Sequence, residues 1–149
     1  MENVKLMNMC KIIDKKNNKV LVQERGKSWK GIAFPGGKIE QGEGMTNSAI
    51  REINEETGLT VKNLKLCGVK DWYNSEKNQR TIVLLYETSD FSGTLINEME
   101  EGKNYWADEN ELLKLELADN FDKVLKIYNE NNLSEMMYNE NTVDKWDLI

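Results

Sequence analysis

Three carboxylates, Glu52, Glu55 and Glu56, stand three and four residues apart beside Arg51 in the segment 36–59, GGKIEQGEGMTNSAIREINEETGL. On a helix of about 3.6 residues per turn, that spacing brings side chains together on one face. Like charges so close repel and weaken the helix. The patch therefore requires a compensating cation, and a hard divalent ion bound through oxygen supplies it. The residues point to a magnesium site. A solvated acidic helix face is the plain alternative.

The elements that must position these acids are legible around them. The only proline lies in FPGGK, where Pro35 fixes its own φ while Gly36 and Gly37 let backbone approach a ligand closely. The helix is expected to begin at residues 44–46 and to stop at Gly58 in a left-handed cap. Ile50, Ile53 and Thr57 are expected on one face and the three acids on another, with Ser48 and Ala49 keeping the N-terminal side small. Near-continuous apolar residues over 4–13 predict a strand covered on both faces. A turn at Asn17 and Asn18 leads to a second strand at Val20, Leu21 and Val22. Residues 61–72 and 80–87 read as two further strands, and 89–103 as a long polar connection. Tyr105, Trp106 and Ala107 form a short strand, followed by a brief helix at 109–113. Phe121, Val124, Leu125 and Tyr128 recur at helical spacing behind Asp119 and Asn120, either of which suits an N-cap. Strands with interspersed helices predict one α/β domain around a mixed sheet.

Composition removes whole classes of function. The 149 residues suit one domain and carry a net charge of -6, with a pI near 4.9. Binding of long nucleic acid rests on neutralising phosphates, so this balance argues against it, whereas a small anionic substrate bridged by metal remains open. Histidine is absent, which excludes Ser-His-Asp and Cys-His catalysis and histidine-ligated zinc. Cys10 and Cys67 lack metal or redox spacing and read as buried reduced thiols. Neither a leader-like apolar run nor an 18-residue apolar stretch occurs, so no membrane partner and a cytoplasmic location are expected.

The segment resembles the signature of the Nudix hydrolases, GX5EX7REUXEEXGU with U an apolar residue. Gly37, Glu43, Arg51, Glu52, Ile53, Glu55, Glu56, Gly58 and Leu59 meet it at every specified position. With FPGGK before it, the resemblance is to the MutT-like branch and covers residues 4–131. It implies a Nudix-type α/β/α sandwich around a mixed sheet, one domain over 1–149, with the tail 139–149 assigned no element. It implies hydrolysis of a diphosphate linkage in a nucleoside diphosphate joined to a further group. Mg2+, or Mn2+, would be bound by Glu52, Glu55, Glu56 and the Gly37 carbonyl, with a further acid at Glu101, for which Glu100 and Glu98 are rivals. Arg51 would orient Glu55, and Glu43 would be a supporting carboxylate.

By the same resemblance Arg25 and Lys38 would meet phosphates, with solvated surface charge the alternative. Trp29 or Phe34 would stack on the base, and Asp119 or Asn120 would bond a purine edge unless they serve only as helix caps. Trp72 and Tyr73 read as packing residues. The reading is a pyrophosphohydrolase of a nucleoside triphosphate, a purine with 8-oxo-dGTP among the candidates, acting as a monomer or homodimer. ADP-ribose, dinucleoside polyphosphates and RNA 5′ ends are alternatives, RNA the least attractive. From other classes, the chain would be a non-catalytic nucleotide sensor or a binder of a structural cation.

Overall fold

In the computed structural model, which describes residues 1–26, 30–100 and 102–149, the N-terminal apolar run forms strand β1 (Asn3–Asp14). The Asp14 carboxylate accepts the amides of Lys16 and Asn17, and Asn18 takes a positive φ of 54°. That turn feeds β2 (Lys19–Arg25), antiparallel to β1. Short strands β3 (Gly31–Ala33) and β4 (Gly36–Lys38) precede helix α1 (Met45–Thr57). Strands β5 (Leu59–Lys62), β6 (Lys65–Asn74), β7 (Gln79–Thr88), β8 (Asp90–Gly93), β9 (Glu98–Met99) and β10 (Gly102–Asp108) follow. A 3-10 turn at Glu109–Lys114, helix α2 (Phe121–Asn129) and strands β11 (Glu135–Tyr138) and β12 (Trp146–Leu148) complete the order.

Among the described residues, ten strands form one mixed sheet with β1 near its middle, parallel to β7, and β5 pairs β8 separately. β1 changes its other partner along its length. Met7, Asn8 and Met9 face β4, whereas Ile13 and Asp14 face β2. Alternate residues of β1 enter opposite cores: Cys10 and Ile12 pack with Ala49 and Ile53 of α1, while Met9 and Ile13 pack with the cluster of Phe121, Val124 and Leu125 of α2. The two helices therefore cover opposite faces, and the near-continuous apolar pattern reflects burial on both. Among the described residues no helix is long and apolar enough to cross a membrane.

Three sequence expectations are corrected. Residues 61–72 are not one strand, because Asn63 adopts a positive φ of 56° and breaks the run between β5 and β6, which belong to different sheets. The polar connection 89–103 contains β8 and β9, whose pairing is backbone-driven and leaves little apolar alternation. The tail is structured: β12 pairs β11, and Trp146 and Leu148 pack against the α2-side core.

Candidate active site

Helix α1 starts at Gly44, in extended conformation, and ends at Gly58, whose φ of 79° is the left-handed cap that its lack of a side chain permits. Its inner face is Ala49, Ile53, Glu56 and Thr57. Glu56 lies one turn beyond Ile53 and is buried with it, so the acids do not share one outward face as expected. They divide into two groups.

Glu52 and Glu55 gather on Arg51, whose Nη1 donates to them at 3.0 and 3.2 Å. Arg51 also donates to both oxygens of Glu43, at 2.7 and 2.9 Å, and to the Lys38 carbonyl at 3.0 Å. One guanidinium thus joins the helix, the loop before it and the end of β4. The bonds from Arg51, then that from the Glu40 amide, depress the Glu43 carboxyl to about 2, and the bonds to Glu43, then Glu52, raise Arg51. Three carboxylates against one guanidinium leave two negative charges uncompensated within the group.

Glu56 is held from the strand side. Arg25 Nη2 donates to it at 3.2 Å, and the Gln23 amide donates at 3.4 Å. Gln23 also accepts from Arg25 Nε at 2.7 Å and donates to Asn104 at 3.2 Å, while the Asn104 amide donates to the Glu56 carbonyl at 2.8 Å. Gln23 and Asn104 are 1% and 2% exposed. Amides amid apolar strand residues carry no periodic signal, and sequence reading passed over both. It also missed Asn8, which accepts the Gly37 amide at 3.1 Å and donates to Ser48 at 2.9 Å, tying β4 to α1.

The donor chemistry fits a hard divalent cation. Glu52 and Glu55 converge on one guanidinium nitrogen, and a Cβ built on Gly37 would stand 2.3 Å from the Glu52 carboxyl carbon, so backbone and carboxylate share one spot. Among the described residues no three acids stand at cage spacing already. Arg51 gathers Glu43, Glu52 and Glu55, while Arg25 takes Glu56 from the β2 side, so the acids rest on two separate counter-cations. Glu98 and Glu100 are exposed. Glu101 lies outside the described residues; Gly102 pairs Arg25 across β10 and β2.

On the opposite face of β1, one residue step away at Met9, a cavity of about 1030 Å³ opens. Asp119 and Asn120 line it, together with Lys70, Trp72, Tyr138 and Trp146. Asn120 adopts a left-handed φ of 66° and makes no side-chain cap bond to α2. Phe34 is 3% exposed and packs edge-on against Phe121 and Tyr128, at 4.8 and 5.3 Å, beneath the cavity. Trp72, read as packing, is instead 44% exposed. Lys38 is exposed at the end of β4, and Trp29 lies outside the described residues.

Residues 7–127 match the NUDIX domain model. The chain belongs to the Nudix family. It is 32% identical over 102 residues to the uncharacterized Nudix hydrolase YvcI of Bacillus subtilis, covering 66% of this chain and 63% of that protein. It is also 32% identical over 118 residues to an ADP-ribose pyrophosphatase of Methanocaldococcus jannaschii, covering 78% of this chain and 69% of that one. The crystal structure of a MutT mutator protein from Bacillus halodurans superposes with a TM-score of 0.76 at 26% identity, covering 97% of this chain and 94% of that chain. Nudix hydrolases are pyrophosphohydrolases that generally use divalent metal ions.

Proposed function

We propose that this protein is a magnesium-dependent pyrophosphohydrolase of a nucleoside triphosphate, a purine in particular and 8-oxo-dGTP among the candidates. The observation that carries the reading is the Arg51 group, with its uncompensated charge lying against the glycine backbone of β4. Glu52, Glu55, Glu56 and the Gly37 carbonyl would hold Mg2+, or Mn2+, and Glu101 would complete the acids. The ion would supply charge neutralisation at the phosphates and a more acidic bound water.

The chain's own groups do the rest. Arg51, fixed by its two-bond fork on Glu43, sets the directions of Glu52 and Glu55 through Nη1. Gln23 and Asn104 hold Glu56 against β2. Arg25 and Lys38 would contact the phosphates, Arg25 from a position beside Glu56 and Lys38 from the exposed end of β4. The base would enter the cavity beyond Met9, where the Asn120 amide is not spent on capping the helix and can meet a purine edge. The cavity is at the generous end of small-molecule sites, which also suits ADP-ribose, the named substrate of the archaeal relative.

A hydrolysis panel tests the reading: 8-oxo-dGTP, the ordinary dNTPs, ADP-ribose and a dinucleoside polyphosphate, each with Mg2+ and with product analysis. Monophosphate and pyrophosphate from a purine triphosphate is the expected result. Preferential cleavage of ADP-ribose would move the assignment to that substrate. Turnover of none of them, with nucleotide still bound, would leave a sensor.

A further inference from the structure

The family match ends at residue 127, yet Tyr138, Asp144, Lys145 and Trp146 beyond it line the cavity. They belong to a hairpin that is built into the sheet. β11 runs parallel to β6 with Met136 opposite Lys70, and β12 returns with Leu148 opposite Met136, which is fully buried. The Ile149 carbonyl accepts the amides of Ser134 and Glu135 at 2.7 and 2.9 Å, pinning the end of the hairpin. Its aromatic side chains are thereby fixed in register with β6.

The result is a row of rings across two segments of chain. Trp72 and Tyr138 lie 6.3 Å apart and Tyr138 and Trp146 5.4 Å apart, both edge to face, with the Lys70 ammonium 5.0 Å over the Trp146 ring. Asp119 and Asn120 line the same cavity, bringing hydrogen-bonding groups to it. Rings and hydrogen-bonding groups in one cavity suit a flat molecule with a polar edge. Phe34, the aromatic nearest the glycine strand in sequence, is buried among its own ring partners and has no face to offer. Burial lowers Lys70, opposed by Asp119, so its ammonium is drawn out of bulk water and gains from an acceptor on a bound molecule.

We infer that the C-terminal hairpin is part of the substrate site, and that Trp146, in a row with Trp72 and Tyr138, is a platform on which the nucleobase packs. This rests on the nucleotide reading above, and it assigns base recognition to a segment outside the matched domain.

The test compares Trp146→Ala and Trp146→Phe with the parent protein. Nucleotide binding is followed by tryptophan fluorescence without Mg2+, and turnover is followed with it. Stacking on one aromatic is worth about five- to hundredfold in affinity. Trp146→Ala should weaken nucleotide binding and raise KM by that factor while kcat stays within about threefold, with Trp146→Phe restoring most of the loss. Inhibition by inorganic tripolyphosphate, which has no base, should be unchanged in both. Unaltered nucleotide affinity in Trp146→Ala overturns the inference, as does an equal loss for nucleotide and tripolyphosphate. A parent protein that hydrolyses no member of the panel overturns the proposed function instead, and the fluorescence titration still decides the role of Trp146.

Discussion

Arg51 and Glu43, eight residues apart, are joined by two parallel bonds, Nε to Oε2 at 2.7 Å and Nη2 to Oε1 at 2.9 Å. The remaining nitrogen serves Glu52 and Glu55. A lysine ammonium is a point donor on a flexible stem and cannot hold this fork. Arg51→Lys should therefore reduce kcat by about a hundredfold, the loss associated with misplacing catalytic groups by about an ångström, with the fold retained by circular dichroism. A lysine variant within threefold of the parent would show that fork geometry is dispensable.

The same pair sets an acid limit. Glu43 titrates at about 2 instead of its ordinary 4.5, chiefly because Arg51 bonds its ionised form. A depressed carboxyl contributes stability that is fully present above the unfolded value and disappears as pH falls through the folded one. The stability difference between the parent and Glu43→Gln should be constant above about pH 4.5 and shrink steadily toward pH 2. Denaturant unfolding across that range measures it, and a pH-independent difference would contradict the assignment.

Adjacent glycines should fail in different ways. A Cβ at Gly36 would meet the Asn8 carbonyl oxygen of β1 well inside contact distance, and that backbone is locked into the sheet. At Gly37 it would meet the end of the Glu52 side chain at 2.3 Å, which can swing away. Gly36→Ala should lose about 1–3 kcal/mol of stability, the range for overpacking. Gly37→Ala should keep its melting temperature while Mn2+ affinity, read by electron paramagnetic resonance, falls. Equal thermal loss in both variants would remove the distinction.

The buried amides around Glu56 give a fourth expectation. Asn104→Ala strips donors from the Glu56 and Ile96 carbonyls and an acceptor from Gln23. Each orphaned buried group costs about 1–3 kcal/mol, so urea unfolding should show a loss of at least that size. Turnover should fall as well, since Glu56 loses the amide that fixes its turn of helix. Normal turnover in a destabilised variant would make Asn104 purely structural.

How much of this was readable beforehand follows from the physics of each residue. Glu52, Glu55, Arg51 and Glu43 were legible because their chemistry depends on spacing within one short segment, and local spacing survives folding. Glu56 shares that spacing, but its burial depends on which way α1 rolls onto β2, a tertiary choice. Asn8, Gln23 and Asn104 sit on three separate strands, and only the pairing of those strands brings them to the site. Trp72 and Trp146 are 74 residues apart in sequence; Trp72 reads as a packing residue and Trp146 falls in a tail assigned no element, until the parallel pairing of β11 with β6 places both on one cavity.

Asn120 separates recognition from architecture most sharply. As a cap its side chain would accept from the first amides of α2, and no such side-chain bond is present; only its backbone carbonyl meets the amides of Lys123 and Val124. Its φ of 66° is instead a conformation that asparagine tolerates and glycine adopts freely. Asn120→Gly should therefore keep the parent's stability within about 0.5 kcal/mol, whereas Asn120→Ala should lose about 1 kcal/mol through backbone strain alone. Both remove the amide from the cavity, so both should lower the ratio of kcat/KM for purine over pyrimidine triphosphates by about tenfold, the scale of one hydrogen bond. The glycine variant is the decisive one because backbone strain cannot account for its change. If Asn120→Gly is stable and still discriminates between bases as the parent does, the purine edge is read elsewhere in the cavity.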